Sequence, residues 1–429
     1  MMQHHKPATK GSLLAALDIG SSKVACLIGR VSDDEGSLEV LGVGHQPSEG
    51  VKNGAVTDLN AAEAVIRRTV HAAENMAADV MKGYPLREVV VNLPGVHAGS
   101  ILHKAEVSIS GHPVTDNDIR RALVKAQEEA FEHMPEDGAF ELIHTIPVSY
   151  KIDGHDGIAE PRGMVGHTLG VDIHMTSGDM LALRNIASCI EKSHLDISAF
   201  CTSSYAAGLA SLVDDEMELG CTVIDIGGGV TSFSVFHNRN LLYADAVPIG
   251  GKHVTGDIAK GLTAAINDAE RIKVLYGSAM AGGLDETEMI DVPRLGEDAF
   301  APPNHVPRSL LVGIIQPRLE EIFELVRSRL QDAGLGSAVG RRVVLTGGAS
   351  LMPGMKDLAN YVMDKQVRIG KPIRLTGLPD AVSGPAFATT AGLLSYIAER
   401  SDEMPADIIA QVTPGTLWER VKYWMRENW

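Results

Sequence analysis

The stretch Val223-Ile224-Asp225-Ile226-Gly227-Gly228-Gly229-Val230-Thr231-Ser232-Phe233-Ser234-Val235-Phe236 joins an apolar run to a second alternating run through three glycines. It reads as two strands of a hairpin whose tip has no side chains. A tip without Cβ atoms lets backbone N–H groups close on an anion, and Thr231 adds a hydroxyl. Asp225 ends the first strand. A lone carboxylate in an apolar strand is costly to bury, so its position suits holding a hydrated Mg2+. An ordinary tight hairpin could use the same residues, and this stretch by itself does not separate the two.

A second copy near the start of the chain does. Leu13-Leu14-Ala15-Ala16-Leu17-Asp18-Ile19-Gly20-Ser21-Ser22-Lys23-Val24-Ala25-Cys26-Leu27-Ile28-Gly29 repeats the order apolar strand, Asp-Ile-Gly, turn, apolar strand. Asp18 and Asp225 therefore occupy one position of a duplicated unit, which predicts an α/β fold of two halves facing each other across a nucleotide. Ser21, Ser22 and Lys23 place hydroxyls and a cation where phosphates would lie, although a solvated turn lysine has the same local sequence. A third strand-to-glycine turn, Val343-Val344-Leu345-Thr346-Gly347-Gly348-Ala349-Ser350, runs toward a helix. It suits close approach of backbone to a nucleoside or, read alone, a helix-capping turn.

Composition narrows the partners. The chain has 429 residues, enough for two or more domains, and a formal net charge of −17 that argues against a nucleic-acid binder. The cysteines Cys26, Cys189, Cys201 and Cys221 show no C-x-x-C spacing, which fits a reducing compartment and neither zinc nor disulfides. The polar first residues lack the apolar core of a secretory signal, and no run is long enough to span a bilayer. Membrane contact is expected to be peripheral.

Between the repeats, strands are expected at 38–44 and 87–93 with a helix over about 59–78. Residues from Pro94 to about Ser177 read as a module of their own: strands near 99–109, 140–152 and 168–175, and a helix opened by a Thr115/Asp118 capping pair. Asp153 to Met164 reads as a turn-rich loop whose histidines and carboxylates match no metal-ligand spacing. After the central hairpin a strand at 241–249 turns through Gly250-Gly251-Lys252 into a helix. The next helix puts Glu270 and Lys273 one turn apart on one face, and a long helix follows over about 307–334.

Three glycine turns in this order, two of them sharing Asp-Ile-Gly, resemble the phosphate-1, phosphate-2 and adenosine motifs of the actin, sugar-kinase and DnaK-type chaperone superfamily. Ala269-Glu270-Arg271-Ile272-Lys273 resembles the helix lying against the adenosine. Within the superfamily, Ile143-His144-Thr145-Ile146-Pro147, Pro161-Arg162-Gly163-Met164-Val165-Gly166 and Ile314-Ile315-Gln316-Pro317-Arg318-Leu319-Glu320-Glu321 resemble the FtsA family of bacterial cell division proteins.

The resemblance implies an actin-like duplicated fold: subdomain 1A over 13–95 and 177–212, an inserted subdomain 1C over 96–176, subdomain 2A over 213–255 and 335–385, subdomain 2B over 256–334, and a helix over 386–400 returning to 1A. It also implies an arm over 1–12, a linker over 401–414 and a terminal helix over 415–429. ATP and Mg2+ would be held by Asp18, Gly20, Ser21, Ser22, Lys23, Asp225, Gly227, Gly228, Gly229, Thr231, Glu270, Lys273, Gly347, Gly348 and Ser350, with Asp18 and Asp225 on the metal through water. The implied partners are the FtsZ C-terminal peptide, further copies of the chain in a filament, and later division proteins. Arg318 and Arg308 are candidates for the peptide, though an arginine on a helix surface is as good a reading of Arg318.

The tail has its own signal. At about 100° per residue, Leu417, Trp418, Val421, Trp424, Met425 and Trp429 share one arc, with Arg420, Lys422 and Arg426 outside it. All three tryptophans of the chain lie here. Such a helix suits the plane of a membrane interface, or else packs on the body or on another subunit. The leading expectation is a scaffold anchoring FtsZ filaments to the cytoplasmic side of the cell membrane at the division site. The rivals are an actin-like pilus-assembly ATPase and a sugar-kinase-type phosphotransferase. Cys201-Thr202-Ser203-Ser204-Tyr205, between the halves, offers neither an acceptor base nor the glutamine that positions water in actin, so at most slow ATP hydrolysis is expected and no catalytic residue is assigned.

Overall fold

The computed structural model describes residues 11–32, 38–132, 140–282, 287–296, 302–335 and 340–399. The linker 401–414, the helix read over 415–429 and its six membrane candidates lie outside the described residues. Gly11 and Ser12, which the sequence reading leaves in the arm, are already paired to the body: Gly11 N–H donates to Val31 O at 3.1 Å.

The first half contains β1 (Leu13–Ile19), β2 (Lys23–Val31), β3 (Leu38–Pro47), β4 (Val51–Lys52), β5 (Ala55–Val56), α1 (Leu59–Met76), α2 (Ala78–Met81) and β6 (Glu88–Leu93). An insert follows, with β7 (Ala98–Ser108), α3 (Asp116–Glu132), β8 (Phe140–Ile152), β9 (His155–Ile158) and β10 (Thr168–Asp179). The chain returns through α4 (Met180–Lys192), β11 (Asp196–Thr202), α5 (Ser203–Ser211) and α6 (Asp214–Leu219). The second half has β12 (Cys221–Ile226), β13 (Thr231–His237), β14 (Asn240–Val247), α7 (Gly251–Leu262), α8 (Ile266–Tyr276), β15 (Met289–Val292), β16 (Asn304–Pro307), α9 (Arg308–Asp332), β17 (Arg342–Thr346), α10 (Met355–Met363) and β18 (Gln366–Ile369). β19 (Leu375–Thr376) and α11 (Ala388–Glu399) rejoin the first half.

The duplication is visible in strand order. One sheet runs β11-β6-β1-β2-β3-β19 and the other β14-β13-β12-β17-β18. In each, three successive strands form an antiparallel meander, and two later strands add in parallel beside the first of them. The first turns match residue for residue, with Ile19 opposite Val24 and Ile226 opposite Thr231.

Helices cover both faces of the first sheet, which is why β1 and β2 are apolar almost throughout. Successive side chains of β1 point to opposite faces. Leu17 and Ile19 pack with Val65 and Ile66 of α1, while Leu14 and Ala16 pack with Ala206 of α5 and Leu394 of α11. α5 also meets the second sheet, where Ala207 packs with Val223, Phe236 and Val344. It is thus shared by both halves. α11 crosses α5 so closely that a Cβ built on Gly392 would stand 1.7 Å from Ala206 O, a distance that admits only glycine. The outer face of the second sheet is filled by α7, α9 and α10 through Ile258, Leu319, Phe323 and Leu358.

The insert forms a separate sheet in the order β7-β10-β8-β9. One of its faces is covered by α3, with Ile119, Leu123 and Ala126 against Val171, Ile173 and Met175. Thr115 N–H donates to Asp118 Oδ2 at 2.9 Å and Asp118 N–H to Thr115 Oγ1 at 3.4 Å, the expected capping pair. The expected loop at 153–164 is corrected in part: His155–Ile158 is a strand paired with β8. Asp153 and Gly154, at φ +49° and +80°, form a two-residue hairpin turn, and this Asp-Gly signal was present in the sequence. Among the described residues no group of three or more His, Cys, Asp or Glu is placed to hold a metal ion.

Candidate functional site

The two matching hairpins meet. Gly20 N–H donates to Lys23 O at 3.0 Å and Gly227 N–H to Val230 O at 2.9 Å, so the two tips close in the same way. A Cβ on Gly228 would lie 1.9 Å from Ser22 Oγ, which makes the second tip's bareness a condition for contact with the first. Between and below them lies a cavity of about 490 Å3 lined by both hairpins, α7, α8 and the turn after β17. Gly347 of that turn has φ +83°, and a Cβ there would strike Asp225 Oδ1. Glycine is required on both counts.

Asp18 and Asp225 face this cavity from the two halves. Consecutive residues of α11 hold them: Thr390 Oγ1 donates to Asp18 Oδ2 at 3.0 Å and Thr389 Oγ1 to Asp225 Oδ2 at 2.7 Å. Burial raises the Asp18 carboxyl above its ordinary range, with the Lys23 charge and the Thr390 hydroxyl opposing. Burial likewise pushes Asp225 up to about 6; the Thr389 hydrogen bond opposes this and the charge of Asp18 adds to it. Two carboxylates that resist ionising side by side are relieved by a cation. With two such carboxylates and, among the described residues, no third His, Cys, Asp or Glu grouped with them, the donor set fits Mg2+, which retains water and completes its shell from phosphates.

α8 presents Glu270 and Lys273 to the cavity. Lys273 Nζ donates to Glu270 Oε2 at 2.7 Å, Thr255 Oγ1 at 2.8 Å and Gly251 O at 3.0 Å, which uses each of its three protons. The same Glu270 oxygen accepts from Thr255 Oγ1. The pair is a fixed wall element, with the lysine saturated by protein.

Most other sequence candidates also reach the cavity: Gly20, Ser21, Ser22, Lys23, Gly227, Gly228, Gly229, Gly347 and Gly348 line it. Two do not. Thr231 is fully buried and donates to Ile249 O at 2.8 Å, and Ser350 is buried and donates to Gly347 O at 2.7 Å. Both hydroxyls brace turns instead of facing a ligand, because alternation along β13 and the tight turn after β17 aim them inward. Lys23 lines the cavity but donates to Ala386 O and lies 4.5 Å from the centroid of the Phe387 ring. Arg318 and Arg308 are half-buried and engaged within the body: Arg318 is bidentate to Asp257, at 2.6 and 3.2 Å, and also pairs with Glu321. Arg308 donates to Tyr276 O and Glu288 Oε2, each at 2.8 Å.

Polar lining residues that the sequence reading did not put forward as ligand-binding include Asn92, Ser203, Lys252 and Thr389. Asn92 Oδ1 accepts from Ile19 N–H at 2.7 Å and its amide donates to Ser203 Oγ at 3.3 Å, bracing the end of β1 from the neighbouring strand. The available signal for the threonines was a Thr-Thr pair at the start of an otherwise apolar helix.

Comparison with known proteins agrees with this architecture. The family model described as "Cell division protein FtsA" matches residues 222–392, and the model "SHS2 domain inserted in FTSA" matches 95–177. A Rhizobium meliloti cell division protein FtsA is 40% identical over 434 residues, covering 98% of this chain and 96% of the relative. The Escherichia coli K12 protein of that name is 32% identical over 432 residues, covering 98% and 99%. Among solved structures, a PilM-PilN type IV pilus biogenesis complex aligns with TM-score 0.62 at 17% identity, over 90% of this chain and 99% of that one. MreB5 of Spiroplasma citri bound to ADP aligns with TM-score 0.53 at 12% identity, over 91% and 97%. The fold is the actin-like one, with an inserted SHS2 domain.

Proposed function

The chain belongs to the FtsA family of cell division proteins, and on that premise we propose that it is an ATP-binding scaffold that self-assembles and ties FtsZ filaments to the inner face of the cytoplasmic membrane. The observation that carries the nucleotide part is the pair of Asp-bearing hairpins converging on one cavity, with the bare Gly347-Gly348 turn lining it against Asp225. ATP would lie with its phosphates between Gly20–Lys23 and Gly227–Val230, its ribose near Glu270 and its base against Gly347-Gly348. Mg2+, when bound, neutralises phosphate charge and relieves the Asp18/Asp225 pair; Thr389 and Thr390 hold those carboxylates in place for it. Among the described residues, the carboxylates lining the cavity are Asp18, Asp225 and Glu270 and the one side-chain amide is Asn92. Glu270 is committed to Lys273 and Thr255. This supports a clamp with slow turnover over a phosphotransferase.

Membrane attachment rests on the sequence of 415–429. No helix among the described residues is long and apolar enough to cross a membrane. The FtsZ peptide is assigned to the subdomain carrying α8 and α9, where Leu275, Met289 and Leu310 are exposed around Arg308. At Arg318 an incoming carboxylate would compete with Asp257 and Glu321. Sedimentation of FtsZ filaments with phospholipid vesicles tests the whole reading. The full chain should bring FtsZ into the vesicle pellet, deletion of 415–429 should leave both in the supernatant, and Arg318→Glu should pellet without FtsZ. Full pelleting by the deletion variant would overturn the anchor.

A further inference from the structure

Lys252 stands second in α7 and joins the two hairpins. Its backbone N–H donates to Gly228 O at 2.7 Å, which fixes the residue on the tip from the second half. Its side chain then crosses the cleft, and Nζ donates to Ser21 O at 2.5 Å on the tip from the first half. The other lysines of the cavity are placed differently. Lys273 is saturated at the Glu270 end, and Lys23 is drawn toward Ala386 O and the Phe387 ring. Lys252 is the lining cation that spans from one phosphate hairpin to the other.

The ammonium on Ser21 O has a neutral acceptor, whereas on a phosphate oxygen both partners are charged and Coulomb attraction is added to the hydrogen bond. A phosphate oxygen that reaches the gap between Ser21 and Gly228 therefore takes Lys252 from the carbonyl or shares it. The inference rests on the ATP reading given above. With the base at Gly347-Gly348 and the ribose near Glu270, the phosphate chain runs toward the two tips, and its outermost member arrives where they meet.

We propose that Lys252 is a specificity-determining residue that reads the terminal phosphate, binding a γ-phosphate oxygen in the triphosphate complex and remaining on Ser21 O in the diphosphate complex. Among the described residues lining the cavity, none duplicates this arrangement: Asp18 and Asp225 repel a bare phosphate and need a cation between. The local sequence Gly250-Gly251-Lys252-His253 also supports the assignment, since two residues without side chains bring the helix start against the Gly227–Val230 tip and leave Lys252 as the first side chain to emerge into the cleft.

The test is competition against a fluorescent nucleotide, with Mg2+ present, using the full chain as wild type, Lys252→Gln and Lys252→Arg. The competitors are a non-hydrolysable ATP analogue and ADP. Lys252→Gln should weaken the triphosphate roughly ten- to hundredfold, the value of one charge-assisted hydrogen bond, and ADP by less than about threefold. Lys252→Arg should recover most of the loss. Equal losses for the two nucleotides, or none for either, overturn the assignment while leaving ATP binding intact. A wild-type chain that binds neither nucleotide overturns the ATP reading and this inference with it. If thermal unfolding shows that Lys252→Gln does not fold, Lys252→Met keeps the aliphatic stem and supplies the same comparison.

Discussion

Replacing Asp225 with asparagine should make the protein more stable in the absence of nucleotide while removing its response to Mg-ATP. Asparagine keeps the shape and can still accept the Thr389 hydroxyl, so the perturbation is chiefly the loss of one buried charge. Its magnitude follows from the raised carboxyl: a move from 3.8 to about 6 corresponds to about 3 kcal/mol of cost to the ionised folded state. Because the carboxyl opens onto a cavity, that figure is an upper bound. The sign with pH is fixed by proton binding. Below about pH 4 the group is protonated in folded and unfolded chains alike; between about 4 and 6 the folded chain alone holds the proton; above 6 the folded chain carries the charge at full cost. Stability from this group therefore falls as pH rises through that window, and Asp225→Asn should remove the fall. Urea unfolding followed by circular dichroism, in EDTA at pH 4.5 and pH 7.5, checks this. The variant should gain up to about 3 kcal/mol at the higher pH and much less at the lower. Mg-ATP should raise the wild-type midpoint and leave the variant's nearly unchanged. A variant less stable than wild type at pH 7.5, or an equal difference at both pH values, would refute the reasoning.

Two further substitutions address close contacts. Gly392→Ala should prevent α11 from seating on α5, because the added methyl has only backbone to move; soluble expression should fall, and any folded fraction should unfold at least about 3 kcal/mol more easily in urea. Gly228→Ala meets the Ser22 hydroxyl, a side chain that can be removed, so nucleotide affinity measured by fluorescence should drop and Ser22→Gly should restore much of it. Absence of rescue would mean that the backbone at Ser22 N, 3.3 Å from the built Cβ, is the true obstacle.

Particular residues show how far the sequence could be read. The hairpins at Asp18 and Asp225 were legible because strand, turn and strand are adjacent in the chain, and alternation plus glycine reports them locally. The long helix was legible through Leu311, Ile315, Leu319, Ile322 and Val326, spaced to bury one face, and it runs on through Pro317 because that face is packed on both sides. The β9 hairpin was missed although its Asp-Gly turn was in view, because a dense loop composition masked a strand of four residues. In the sequence Arg318 reads equally as a peptide-binding residue or a helix-surface arginine; Asp257, which holds it, lies on a different helix and gives no local signal.

By itself, the sequence determined the duplication, the three glycine turns, the membership of the Glu270–Lys273 pair in one helical face and the amphipathic pattern of 415–429, all of which are carried by neighbours within a few turns or strands. Only the tertiary structure decided which side chains face the cleft. It turned Thr231 and Ser350 inward, and it brought Lys252 to Ser21 across 231 positions and Thr390 to Asp18 across 372. No local propensity reaches over such separations. They are set by the packing of α5 and α11 between two sheets, which fixes where one half's side chains meet the other's backbone.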